Sequence, residues 1–221
     1  MNFLQKIKNR WYSSHRYQKQ HWNEYIKKGE LDSWGGVGFE WGDPNRSNDR
    51  HGDYLAVRNL LISKINTETV VLEIGALTGK WIEFMAPARK IIAVDIGQLF
   101  EKYLLSRYSE YNNLECYVSS GDELDGIGDS SVNLVFSMDT FSRVKKKFIV
   151  SYFKEINRVL TKNGEAIIFL PNSDLFISKN RGFTNISTQW IQNKAEVYFS
   201  DFTIDSHTLK HGSLLKIKKV I

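Results

Sequence analysis

"VVLEIGALTGKW", residues 70–81, decides how this chain is read. A short apolar run containing Glu73 ends at Gly75, and a second glycine, Gly79, follows one turn later. A strand entering a glycine turn is the usual entrance to a nucleotide site. Leu77 stands where a dinucleotide loop places its second glycine, the residue that lets the backbone approach a pyrophosphate. Lys80 precedes Trp81 rather than Ser or Thr, so the phosphate-loop pattern is absent as well. What remains is a sharp turn at Gly75, a close approach at Gly79 and an acid at the strand end. That set suits an adenosyl ligand without phosphates, which needs room beside the loop and acceptors for a cationic amino acid moiety.

Working outward, the hydrophobic period switches regularly. "DYLAVRNLLISKI" (53–65) has helical spacing, "TVVLEI" (69–74) reads as a strand and "KWIEFMA" (80–86) as a helix. "KIIAVDI" (90–96) is a strand, "QLFEKYLLSRYSEY" (98–111) a helix, and "NLECYVS" (113–119) and "SVNLVFSM" (131–138) are strands. "KKKFIVSYFKEINRVL" (145–160) is an amphipathic helix and "GEAIIFLP" (164–171) a fifth strand. Alternation of this kind predicts parallel strands with crossover helices. In the tail, "AEVYFSDFTID" (195–205) and "SLLKIKKVI" (213–221) are β-rich runs separated only by "SHTLKHG". So short a link predicts an antiparallel hairpin. The expected fold is α/β: a Rossmann-like, seven-stranded, mostly parallel sheet with helices on both faces and a reversed last strand.

With 221 residues, 42% of them hydrophobic, the chain can build one substantial core. The expected division is a basic helical extension and lid over residues 1–49, then one catalytic domain over 50–221. Cys116 is the single cysteine, which excludes an internal disulfide and a multi-cysteine metal site, and a buried structural thiol is expected there. No apolar run approaches the roughly 18 residues of a membrane span, and no apolar leader is evident. A cytoplasmic protein is expected.

The net charge of +5 is uneven: the first 30 residues hold seven basic and two acidic residues, and the rest is balanced. Leu4, Ile7 and Trp11, then Trp22, Tyr25 and Ile26, recur at helical spacing. The expected structure is a bent helix or two short ones laid across the domain. Contact with RNA or an anionic membrane surface is the rival reading.

Two more acids follow strands in order. Asp95 ends "IIAVDI", 20 residues after Gly75, where a carboxylate can grip both ribose hydroxyls. Asp122 follows the third strand in "SSGDEL", a position suited to an adenine amino group. Ligands of open α/β sheets bind at the carboxyl ends of the strands, where these residues converge.

On "VLEIGALTGKW", "IIAVDIG", "VSSGDELDGIGDSSVNLVFSMDTFSRV" and "FKEINRVLTKNGEAIIFLP", roughly residues 68–171, the chain resembles the class I S-adenosylmethionine-dependent methyltransferases. The resemblance implies S-adenosylmethionine as cofactor, with Glu73, Gly75, Ala76 and Gly79 around the methionine part. It implies Asp95 and Ile96 at the ribose, Asp122 and Glu123 at adenine, and Ser137 and Met138 closing the pocket. Many relatives carry a histidine where this chain has Arg143, so no mechanism through a histidine there transfers to it.

The acceptor is less legible. A hydroxyl acceptor needs a general base. Asp139, directly after the fourth strand, is the first candidate, with His207 and His211 in the turn of the final hairpin behind it. No metal is expected. "WGGVGFEWGDPNRSNDRHGDY" (34–54) reads as a lid, with Trp34, Trp41, Arg50 and His51 facing the acceptor. "PNSDLFISKNRGFTN" (171–185), with Asn172, would form the opposite wall. A small-molecule or glycan acceptor, through a sugar hydroxyl, is the favoured partner. Nucleic acid is not expected, and RNA, a small metabolite or a non-catalytic adenosyl-binding subunit are the alternatives.

Overall fold

The computed structural model describes residues 15–27, 42–48, 50–180 and 182–220. Leu4, Ile7, Trp11, Trp34 and Trp41 lie outside the described residues. Helices are α1 (His15–Lys27), α2 (Tyr54–Ile62), α3 (Phe100–Arg107), α4 (Lys146–Val159), α5 (Phe176–Asn180) and α6 (Thr188–Tyr198). Strands are β1 (Val70–Ile74), β2 (Lys90–Asp95), β3 (Leu114–Val118), β4 (Val132–Ser137), β5 (Leu160–Pro171), β6 (Asp201–Asp205) and β7 (Gly212–Lys218).

The strands form one sheet in the order β3-β2-β1-β4-β5-β7-β6. The first five pair in parallel, and β7 inserts antiparallel between β5 and β6. β1 is central and buried along its whole length, so its alternation serves two cores. Val70, Leu72 and Ile74 pack with Tyr152 and Phe153 of α4 and Ile191 of α6. Val71 packs with Tyr54 and Leu61 of α2 and Phe100 and Leu104 of α3. The period of two therefore puts Glu73 on the face of Val71, beneath α2 and α3.

Three sequence expectations are corrected. "KWIEFMA" forms only a 3-10 turn, Ile82–Met85, because Pro87 has no N–H to give the Glu83 carbonyl and the ladder stops there. "AEVY" is the end of α6 rather than the start of a strand. The Ser187 side chain caps that helix by accepting from Trp190 N, and Ile191 and Ala195, four residues apart, bury its face. Cys116 is half-buried rather than buried, and burial pushes its thiol up to about 12, which suits a structural role. Among the described residues, no helix is long and apolar enough to cross a membrane.

Candidate cofactor and acceptor site

The loop after β1 turns through three left-handed residues: Gly75 (φ 81°), Leu77 (φ 42°) and Gly79 (φ 86°). A side chain at Gly75 would overlap Thr140, and one at Gly79 would overlap the Tyr108 ring. Leu77 takes the same backbone region at a cost of roughly 1–2 kcal/mol. Its N–H donates to Asp95 Oδ2 at 3.0 Å, a charge-assisted bond worth about 1.5–3 kcal/mol, which offsets that cost. Asp95 Oδ1 accepts from Gly97 N at 2.9 Å. The carboxylate at the end of β2 thus ties together the two loops at the head of the sheet. Burial nevertheless leaves its pKa above the ordinary value, against these backbone donors.

Glu73 is 2% exposed and its Oε2 has no hydrogen-bond partner. Burial drives its pKa up to about 8, opposed by the charge of Lys80 and reinforced by that of Asp95. Burial thus favours its neutral form, and a bound cation would favour the ionised one.

A second cluster sits across the cavity. Asp139 follows β4 in a left-handed conformation (φ 62°). It accepts from Tyr54 Oη at 3.0 Å on both oxygens, faces His211 Nε2 at 3.0 Å, and lies 3.4 Å from Lys80 Nζ. Burial alone would raise the Asp139 pKa, but Lys80, His211 and the tyrosine hydroxyl outweigh it and hold the carboxyl below its ordinary value. His211 is buried, with Nδ1 3.0 Å from the His51 carbonyl oxygen and its ring stacked 4.7 Å from that of Phe169. That oxygen can only accept, so Nδ1 carries the proton between them and Nε2 is directed at Asp139. The buried Lys80 ammonium also lies over the rings of Tyr54 and Trp81, at 5.5 and 5.8 Å.

Of these groups, Asp95, Asp139 and His211 border a cavity of about 450 Å³ at the carboxyl ends of the parallel strands, a size suited to a nucleoside-bearing ligand. Gly75, Asp95, Ile96, Met138, Asp139 and His211 line it, as the sequence places them. Glu73 and Ser137 lie buried behind the lining, where Ser137 Oγ donates to the Ile74 carbonyl at 2.9 Å. Ala76 is buried in the core, and Gly79 faces Tyr108. Asp122 accepts from Ser120 Oγ at 3.1 Å, beside the lining residue Gly121.

Several expected contacts are not brought to the cavity. Glu123 is exposed and contributes its carbonyl to Ser119 Oγ. His207 is exposed in the turn, with its N–H on Asp205 Oδ1, because only the last hairpin residues fold inward. Asn172 is fully buried and spends its amide on Thr188 and Ser213 and its oxygen on Asp174 N, so it pins the wall and is not presented to a ligand. His51 lies behind His211 and presents its backbone carbonyl, while the Arg50 Nε donates to the His51 ring. The sequence reading missed Tyr54 and Lys80, although Lys80 directly follows the glycine loop. The leading segment, expected as a helix laid across the domain, includes α1, from which Gln18, His21 and Trp22 wall the cavity. Asn23 Oδ1 accepts from Leu99 N at 3.0 Å and holds α1 against the start of α3. Among the described residues no cluster of His, Cys, Asp and Glu is arranged to hold a metal ion.

The geometry is that of a Rossmann-like α/β domain with a glycine loop lacking a pyrophosphate cradle, a carboxylate at the end of the second strand and a buried acid with an unpaired oxygen. The family model for a methyltransferase domain matches residues 71–164. The thiol S-methyltransferase TMT1B of Rattus norvegicus is 29% identical over 102 residues, which cover 45% of this chain and 41% of that protein. The matched segment is thus less than half the length of that relative. Among solved structures, the [4+2]-cyclase SpnF superposes with a TM-score of 0.70 at 12% identity, covering 94% of this chain and 97% of that one. A SAM-dependent methyltransferase from Aquifex aeolicus superposes with a TM-score of 0.63 at 13% identity, covering 86% and 97%. Residues 71–164 thus match a methyltransferase domain, and the fold is shared with S-adenosylmethionine-dependent methyltransferases, whose cofactor is S-adenosylmethionine. The residues fit it: the orphaned Glu73 Oε2 is an acceptor awaiting a cation, and Asp95 lines the cavity with lone pairs beyond its two backbone donors.

Proposed function

We propose that the protein transfers a methyl group to a protic sulfur or oxygen atom of a small acceptor seated against His211 and Asp139. S-Adenosylmethionine supplies the electrophilic methyl on its sulfonium. Asp95 would hold the ribose, Glu73 the amino acid moiety, and Ile96 and the Asp122 turn the base. The observation that carries the acceptor half is the His211 Nε2–Asp139 Oδ1 contact of 3.0 Å at the cavity wall. The His211–Asp139 pair would take the acceptor's proton as a unit: with Nδ1–H held by the His51 carbonyl, that proton would settle on Nε2 against the Asp139 carboxylate, which stabilises the charged imidazole. An imidazole base matches acceptors that release their proton near neutrality, such as thiols at about 8.5 or phenols at about 10.

A sugar hydroxyl is the second reading, favoured by the polar rim of Gln18, Ser142 and Arg143. It places a heavier demand on the base, because an alcohol must lose its proton as the methyl group arrives. A panel of thiols, phenols and sugars, scored for methylated product with purified protein and S-adenosylmethionine, tests both. Methylation of thiols or phenols that collapses in His211→Ala supports the first reading. Product from sugars alone supports the second, and product from neither overturns both.

A further inference from the structure

The cavity's acids are spoken for, but its arginine is not. Asp95 is engaged by two backbone N–H groups, and Asp139 by Tyr54, Lys80 and His211. Arg143 lines the same cavity, and its guanidinium has no hydrogen bond or ion pair among the described residues. Ser142 also lines it, and its hydroxyl is likewise unpaired among them. The backbone that presents these two side chains is pinned on both sides. Thr184 N donates to the Ser142 carbonyl at 2.8 Å, Thr184 Oγ1 donates to the Val144 carbonyl at 2.7 Å, and Ser142 N returns to the Asp139 carbonyl at 3.2 Å.

From this juxtaposition we infer that the acceptor carries a carboxylate, held at the cavity mouth by the Arg143 guanidinium and the Ser142 hydroxyl. This rests on the methyl-transfer function proposed above. A planar fork matches a carboxylate in two parallel hydrogen bonds, and a neighbouring hydroxyl can add a third donor. Binding the charge at the mouth leaves the rest of the acceptor to reach inward toward His211. Arg143 is thus a specificity residue for the acceptor.

Two measurements test the assignment, one of turnover and one of binding. Turnover of 4-mercaptobenzoate should exceed that of thiophenol in kcat/KM by about tenfold or more in the wild type. Arg143→Met should erase that preference, and Arg143→Lys, which keeps the charge but loses the fork, should retain part of it. Separately, benzoate titrated into the S-adenosylhomocysteine-loaded protein should bind about tenfold more weakly to Arg143→Met and less weakly to Arg143→Lys. If no thiol or hydroxyl is methylated yet benzoate binding still depends on Arg143, the proposed function fails and this site stands. If benzoate binds Arg143→Met as tightly as the wild type, or does not bind the wild type, the assignment is overturned whatever the turnover.

Discussion

Two carboxylates on neighbouring strands of this sheet meet opposite fates. Glu73, one residue before the end of β1, is buried with an oxygen unpaired, and its pKa climbs to about 8. Asp139, two residues past the end of β4, is also shielded but has three partners, and its pKa falls. Lys80 acts electrostatically on both. Desolvation is common to the two sites, so partners decide the sign. The cofactor half of the cavity is left incomplete, ready for a positively charged ligand. The acceptor half is internally satisfied and holds His211 in one orientation. A site that must bind a cation and then move a proton benefits from both arrangements.

The largest effect that could break this contrast is at the acceptor half. His211→Ala, or Asp139→Asn, should lower turnover on an acceptor from the panel by roughly 10²–10⁴-fold while S-adenosylhomocysteine affinity stays nearly constant. Equal losses of turnover and cofactor affinity would mean that the two halves are one structural unit. At the cofactor half, Asp95→Ala should weaken S-adenosylhomocysteine binding in calorimetry by roughly 10–100-fold, because ligand contacts vanish and the loop N–H groups of Leu77 and Gly97 lose their acceptor.

Glu73 carries a prediction about pH. Its folded pKa of about 8 lies above the ordinary 4.5, so the native state binds the extra proton across that window and stability falls as pH rises through it. Glu73→Gln, which removes the ionisation, should melt higher than the wild type at pH 8 without cofactor, by the equivalent of about 1–3 kcal/mol, with the gap closing toward pH 5. The same variant should bind S-adenosylhomocysteine more weakly. A pH-independent gap would show that Glu73 is already ionised in the free protein. Lys80→Met should raise the pKa of Asp139 and move the acid limb of the turnover profile upward, since the counter-charge is lost.

The smallest effect concerns the leading segment. Asn23→Ala should cost about 1 kcal/mol of stability by removing the acceptor for Leu99 N, seen as a modest drop in melting temperature. Deleting residues 1–28 should lower it further and leave RNA affinity negligible in both forms. Steeply salt-dependent RNA binding that disappears on deletion would instead make the basic segment a nucleic-acid arm.

Much of the cofactor half was legible because its chemistry is local. β1, the glycine turn and Asp95 fall within 26 residues of sequence, and one βα unit brings them together. The acceptor half depends on distant partners. Tyr54 and Asp139 are 85 residues apart and Asp139 and His211 are 72 apart, so no period in the sequence pairs them. The misread of "AEVY" has the same origin: an apolar pair four residues apart supports a helix only once α4 and β6 supply the surface it covers.

By itself, the amino-acid sequence determined the alternating strands and helices, the reversed last strand and the left-handed glycine loop, because periodicity and φ preferences act over a few residues. Tertiary structure alone decided which acids stay charged and which histidine enters the cavity. β7 runs antiparallel along β5, and that register carries His211 inward beside Asp139 while His207, four residues earlier, stays in water. A carboxylate's pKa depends on how much water it loses and which donors face it, and both are properties of packing rather than of the residue.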